Sequence, residues 1–159
     1  MKKTMAHSLL VGLISGLVFV FCGILGITTW IVFFSWANYF LHQSNLKKAM
    51  KMFLAFSIGI VLALLSTIIM KNTGNDLYMN GLIIFVVGTL LVFLECFENW
   101  SEMVPATFLG TVVFFASGVS HKTIISELLF PLFIGVIVGF ITIVTRNNLA
   151  KILDKPKNN

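Results

Sequence analysis

The chain has 159 residues, of which 58% are hydrophobic and only 11% charged, against roughly 25% charged in a typical soluble domain. Too few polar side chains remain to cover a water-soluble fold of this size, and a mean hydropathy of +0.99 agrees. The formal net charge is +5. The basic residues sit in short loops and tails, which points to membrane topology and anionic head groups rather than to nucleic acid.

In chain order, Lys2 and Lys3 precede an apolar run that begins near Ser8. The run is too long for a signal-peptide core and lacks a small-residue cleavage site, so it reads as a retained first helix. Phe21-Cys22-Gly23 is a poor lipoprotein site, because a bulky residue precedes the cysteine. Cys22 and Cys96 both lie in apolar blocks without metal spacing and read as packed thiols.

The block from Ser8 to Leu41 is too long for one crossing. As a single helix it would extend about 50 Å at about 1.5 Å per residue, against a hydrocarbon core of about 30 Å. Gly23, Gly26, Thr28 and Thr29 mark the turn, which predicts helix one over 8–25 and a short helix two over 28–41. Helix three is predicted over 52–70, between Lys51 and Lys71. The segment Asn72-Thr73-Gly74-Asn75-Asp76 is a strong turn signal, with helix four over 79–97 beyond it. Helix five, over 105–118, opens on Pro105, where a missing N–H costs nothing. Helix six, over 124–145, contains Pro131 and should kink there. This is one transmembrane domain over 1–145, followed by a polar cytoplasmic tail over 146–159 that reads as a surface helix.

With six crossings, one side receives Lys2, Lys3, Lys47, Lys48, Lys51, Arg146, Lys151, Lys155 and Lys157, and the other only Lys71 and Lys122. That bias places both termini in the cytoplasm. A count of four or five crossings, with helix two or five re-entrant, is the rival arrangement.

The two halves, about 8–70 and 79–145, resemble each other. Trp30-x-x-Phe33 with Tyr39-Phe40 aligns with Pro105-x-x-Phe108 and Phe114-Phe115 at an offset of 75. After one inserted residue, 57–61 aligns with 133–137 at an offset of 76, as does Gly12 with Gly88. Three helices per half would insert the second copy upside down. The expected fold is therefore an all-α membrane protein of about six short transmembrane helices in a 3+3 inverted repeat. Short or Gly/Pro-interrupted segments at matching positions, here helices two and five, point to a central pathway.

The stretch Val104-Pro105-Ala106-Thr107-Phe108-Leu109-Gly110, leading to Phe115-Ala116-Ser117-Gly118, resembles the signature of the bacterial integral-membrane family called domain of unknown function 1097. Trp30, Phe33, Tyr39 and Phe40 resemble its first-half counterpart, although Leu41 stands where that family has a small residue. The resemblance covers about residues 8–145. It implies a bacterial inner membrane and no established activity, and it carries no catalytic residues.

Enzyme motifs are absent, and no catalytic residue, metal site or cofactor is expected. His7, His42 and His121 fall near predicted helix ends and read as interfacial. Glu95, three residues before Glu98, is the candidate intramembrane carboxylate. If helix four ends near Leu94, it instead joins Glu98 and Glu102 in an interfacial cluster beside Trp100, and Glu127 reads in the same way. The candidate pathway-lining residues are Thr29, Ser35 and Asn38, with Thr28, on helix two, and Thr107, Thr111 and Ser117 on helix five. Uncharged hydroxyls and one amide suit a small neutral or weakly charged solute. The competing role for them is hydrogen bonding between helices. Gly12-x-x-x-Gly16, Gly59-x-x-x-Ala63 and Gly135-x-x-x-Gly139 would let helices approach closely, within the bundle or between subunits of a homo-oligomer. The leading expectation is a small-solute channel or transporter. The alternative is a non-transporting membrane scaffold, assembly partner or sensor subunit.

Overall fold

A computed structural model of the chain describes residues 2–42 and 45–153. Among these residues there are six α-helices and no strands: α1 (Lys2–Leu25), α2 (Thr29–His42), α3 (Leu46–Asn72), α4 (Leu77–Phe93), α5 (Val104–Ser117) and α6 (Phe130–Leu153).

The six helices are not uniformly short. Among the described residues four stretches are long and apolar enough to cross a membrane: Thr4–Leu25, Leu46–Asn72, Leu77–Cys96 and Ile125–Leu153. By contrast α2 and α5 have 14 residues each, or about 21 Å at 1.5 Å per residue. That falls short of a hydrocarbon core of about 30 Å.

The turns follow from local chemistry. At the end of α1 the Ile27 N–H donates to the Cys22 carbonyl at 2.9 Å and the Gly26 N–H to the Gly23 carbonyl at 3.4 Å. Gly26 has φ +65°, so this is a Schellman cap with its left-handed residue at a glycine. Gly23 stays within the helix. The same pair of bonds closes α3, from Asn75 to Met70 at 3.0 Å and from Gly74 to Lys71 at 3.4 Å. Asp76 then caps α4, its carboxylate accepting from the Tyr78 and Met79 N–H groups at 3.0 Å each.

Four boundaries depart from the sequence expectation. α1 begins at Lys2 and α3 at Leu46, because flanking polar residues continue a helix once its apolar part has nucleated it. α4 ends at Phe93, and Leu94–Cys96 tightens into a 3-10 turn. The polar tail is not a separate element: α6 runs unbroken through Arg146 to Leu153, and residues 154–159 lie outside those described. Pro105 sits in the first turn of α5, as its chemistry requires. Pro131 acts through the turn before it. Ile125–Leu129 forms a π-turn, closed by the Phe130 N–H donating to the Ile125 carbonyl. The wider turn accommodates the proline ring and the bond it cannot donate.

The chain divides into two compact units. One comprises the residues up to Leu46 and from Pro131 onward, and the other runs from Lys47 to Phe130. In the first, Ile14, Val18 and Cys22 form one stripe of α1 that packs with Val32 and Phe33 of α2 and with Ile134 and Val138 of α6. In the second, the start of α3 is tied to the loop before α5. Lys48 Nζ lies 3.0 Å from Glu102 Oε2, and Lys51 Nζ lies 5.7 Å from the centre of the Trp100 ring. The ion pair is exposed and contributes about 0–1 kcal/mol.

α1 and α4 are the outward helices. Only 11% and 6% of their apolar spans are buried, against 39% for both α3 and α6. They present Leu9, Leu13, Leu17, Leu82, Phe85 and Leu90 as exposed side chains, runs of apolar surface that a water-soluble monomer rarely leaves open.

Candidate functional site

Each unit is built on one crossing of a 14-residue helix with a long one. In the first unit α2 lies on α6. A Cβ added at Gly135 would strike the Val32 carbonyl and the Ser35 side chain, and one at Gly139 would stand 2.6 Å from the Tyr39 ring. The Ser35 hydroxyl donates to the Leu132 carbonyl at 2.7 Å, bridging 97 residues of sequence. Interhelical bonds of this kind contribute about 0.6–2 kcal/mol in membrane bundles.

In the second unit α5 lies on α3. A Cβ at Gly59 would strike the Thr107 carbonyl and meet Gly110 Cα, and one at Gly110 would strike the Phe56 carbonyl. In the first crossing residues 32 and 35 meet 132 and 135 while Tyr39 meets Gly139, and in the second unit Lys48 pairs with Glu102 just before α5 while Thr67 and Lys71 share a cleft with Phe114 and Gly118, so the two helices of each pair run the same way.

The two crossings share one register. Val32 and Ser35 become Thr107 and Gly110 on adding 75, and Phe56 and Gly59 become Leu132 and Gly135 on adding 76. The contacts correspond accordingly. Gly135 meets residues 32 and 35 as Gly59 meets residues 107 and 110, and residue 35 meets the carbonyl of 132 as residue 110 meets that of 56. Burial corresponds as well. Residues 52–68 and 128–144 fall in the same burial class position by position, without exception. Residues 31–41 and 106–116 do so except at the pairs 33/108 and 40/115.

Of the sequence-predicted lining residues, Ser35, Thr107 and Thr111 stand at these crossings. Thr29 is half-buried at the start of α2, its hydroxyl donating to the Ile27 carbonyl at 3.4 Å. Ser35 and Asn38 are buried at 0% and 3% exposure. Trp36 lies between them, stacked on Phe33 at 5.6 Å, with its Nε1 buried and without a partner among the described residues. On α5, Thr107 and Thr111 are buried and donate to the carbonyls of Met103 at 3.1 Å and Phe108 at 2.7 Å. Ser117 is half-buried and donates to the Phe114 carbonyl at 2.9 Å. The threonine and Ser117 hydroxyl protons are thus taken by their own helix, which leaves oxygen lone pairs to offer a solute. Ser66 of α3 and Thr142 of α6 are also buried hydroxyls, at positions related by the offset of 76 that the sequence reading passed over.

Glu95 stands apart from both crossings. It is exposed on the 3-10 turn after α4 and borders a groove of about 760 Å³ with Ile84, Phe85 and Cys96.

A Cβ added at Gly12, Gly16 or Gly88 would meet nothing within 4 Å, so among the described residues no side chain or backbone packs closely on the α1 small-residue face. Tyr39 and Trp36 were missed as packing residues, since an aromatic in an apolar helix carries no mark of what it will touch.

No curated protein and no solved structure matches the chain. The family described as "Protein of unknown function (DUF1097)" matches residues 8–146, a span that includes both crossings and the resemblance motifs within them. On that match the chain belongs to this family of unknown function.

Proposed function

We propose that this is a multi-pass protein of the bacterial cytoplasmic membrane, built of two three-helix halves inserted with opposite orientation, that passes a small neutral or weakly charged solute. The observation that carries the reading is the shared register of the two crossings. Two offsets read from the sequence alone also relate the glycine contacts and the burial pattern of α3 and α6. Duplicated halves with short helices at matching positions are a recurrent plan of transporters, with the solute path at the repeat. In this reading each unit supplies its own lining, Ser35 and Asn38 on α2 in the first and Thr107 and Thr111 on α5 in the second, all of them polar, buried and uncharged. In this reading both termini are cytoplasmic, and no covalent step or cofactor takes part.

Purified protein in liposomes should pass urea, glycerol or acetate faster than empty vesicles do. Rates equal to those of empty vesicles for all three would remove the transport reading. Reporter tags at residues 45 and 121 should report opposite sides of the membrane, and a shared side would remove the opposed halves while leaving the membrane assignment intact.

A second reading, a membrane scaffold or assembly subunit, is favoured by the open Gly12–Gly16 face of the mostly exposed α1. Gly135 and Gly139 cannot test it, because their faces are taken up inside the first unit. Gly12→Leu with Gly16→Leu can. Loss of a cross-linked oligomer with unchanged solute flux would support the scaffold, and an unchanged oligomer would count against it.

A further inference from the structure

We propose that the cleft at the Arg146 end of the first unit is a binding site for a phosphate-type oxyanion. The cleft has a volume of about 840 Å³, within the range of small-molecule sites. α1 contributes Thr4, His7 and Val11 to its lining, and α6 contributes Ile143, Arg146 and Asn147. Among the described residues no carboxylate lines it. Nor does any ion pair engage Arg146 among the described residues, where the one such pair is Lys48–Glu102. His7 Nε2 is buried and has no hydrogen-bond partner among the described residues. Leaving a buried ring nitrogen unpaired is costly, so this one calls for a hydrogen-bond partner that the described residues do not supply.

The donors define the ligand. A guanidinium presents a planar fork of N–H groups that matches the oxygens of a phosphate. The Asn147 amide and the imidazole of His7 add donors from two helices. Val11 and Ile143 provide an apolar wall for whatever the oxyanion is esterified to.

The same chemistry recurs in the second unit at the corresponding place. There Phe115, Thr67 and Lys71 stand where the first cleft has Phe40, Ile143 and Asn147, by the same offsets of 75 and 76. They border a cleft of about 450 Å³ that again joins a cation, Lys71, to a histidine, His121, without a carboxylate among the described residues. The cations are not at equivalent positions, since Arg146 corresponds to Met70. Each crossing therefore ends in a donor-rich cleft reached by different residues.

A membrane chain meets phosphate in two forms, as a lipid head group and as a water-soluble ion or ester. The detergent-purified full chain should be titrated with inorganic phosphate and, separately, with short-chain phosphatidylglycerol, reading the unfolding temperature. At least one probe should raise it saturably. Arg146→Gln and His7→Ala should each move the half-saturation point upward by about tenfold or more, as expected for loss of a charge-assisted bond. Lys151→Gln, an exposed cation further along α6, should leave it unchanged. If Arg146→Gln does not fold, His7→Ala carries the comparison. A response to phosphate alone marks a water-soluble ligand, a response to phosphatidylglycerol alone marks a lipid, and either supports the site. No saturable response to either probe, or one that survives His7→Ala and Arg146→Gln unchanged, would overturn it. The readout is binding, so absence of solute flux in liposomes leaves this site standing.

Discussion

Leucine at Gly59, Gly110 or Gly135 should prevent the chain from folding stably, whereas leucine at Gly12, Gly16 or Gly88 should shift its unfolding temperature by no more than about 2 °C. The difference lies in what each glycine faces. At Gly59, Gly110 and Gly135 an added Cβ would fall on a carbonyl oxygen of the partner helix. Backbone atoms in a helix cannot rotate away as the tip of a side chain can, so the helices must separate. Overpacking in a core costs about 1–3 kcal/mol where side chains can give way. A clash with backbone exceeds that, against a total stability of about 5–15 kcal/mol. Leucine at Gly139 should be disruptive too, because the added Cβ would meet Cβ and Cγ of the fully buried Tyr39, atoms that a turn of the ring does not move. At Gly12, Gly16 and Gly88 the space is open. Thermal unfolding in detergent, followed by size-exclusion chromatography, ranks the series. Equal losses at Gly12 and Gly59 would mean that the crossings are not the packing units described.

A membrane-impermeant maleimide should label native protein at one cysteine per chain, Cys96, and label both only after denaturation. Cys22 is fully buried, packed with Val18 of α1 and Val32 of α2. Cys96 is exposed on the turn after α4, followed by Glu98, Ser101 and Glu102. A thiol reacts only as the thiolate in contact with water, so the contrast should approach all-or-none. The same reagent reads orientation. With cytoplasmic termini and six crossings, Cys96 lies on the cytoplasmic side, and labelling is expected in inverted vesicles and not in intact cells. Cys96→Ser should abolish the signal in inverted vesicles. Labelling of intact cells would reverse the proposed orientation, and native labelling at Cys22 would contradict the packing of α1.

Both experiments probe places where reading the sequence and seeing the fold diverge. Glu95 shows the divergence at a single residue. Whether it belongs to helix four turned on where that helix stops, and the α-helix stops at Phe93. Nothing in Phe93-Leu94-Glu95-Cys96 forces the stop, since all four can extend a helix. The π-turn before Pro131 is similar. A proline in an apolar helix announces a disturbance, but whether it becomes a kink or a widened turn depends on what packs against Leu128 and Leu132, both fully buried.

The sequence by itself determined that the chain is helical and apolar enough for lipid, that it turns at Gly26 and at 72–76, that α5 opens on Pro105, and that two offsets relate its halves. These are properties of a few consecutive residues or of direct comparison, and a left-handed glycine or a proline states its conformation locally. Only the tertiary structure decided which helices pair, that Ser35 reaches Leu132, and that His7 and Arg146 border one cleft. The physical reason is that lipid and a packed interior ask for the same side chains. In a helix apolar all round, periodicity does not mark the buried face, and the partner of each glycine is written in the shape of another helix rather than in the residues beside it.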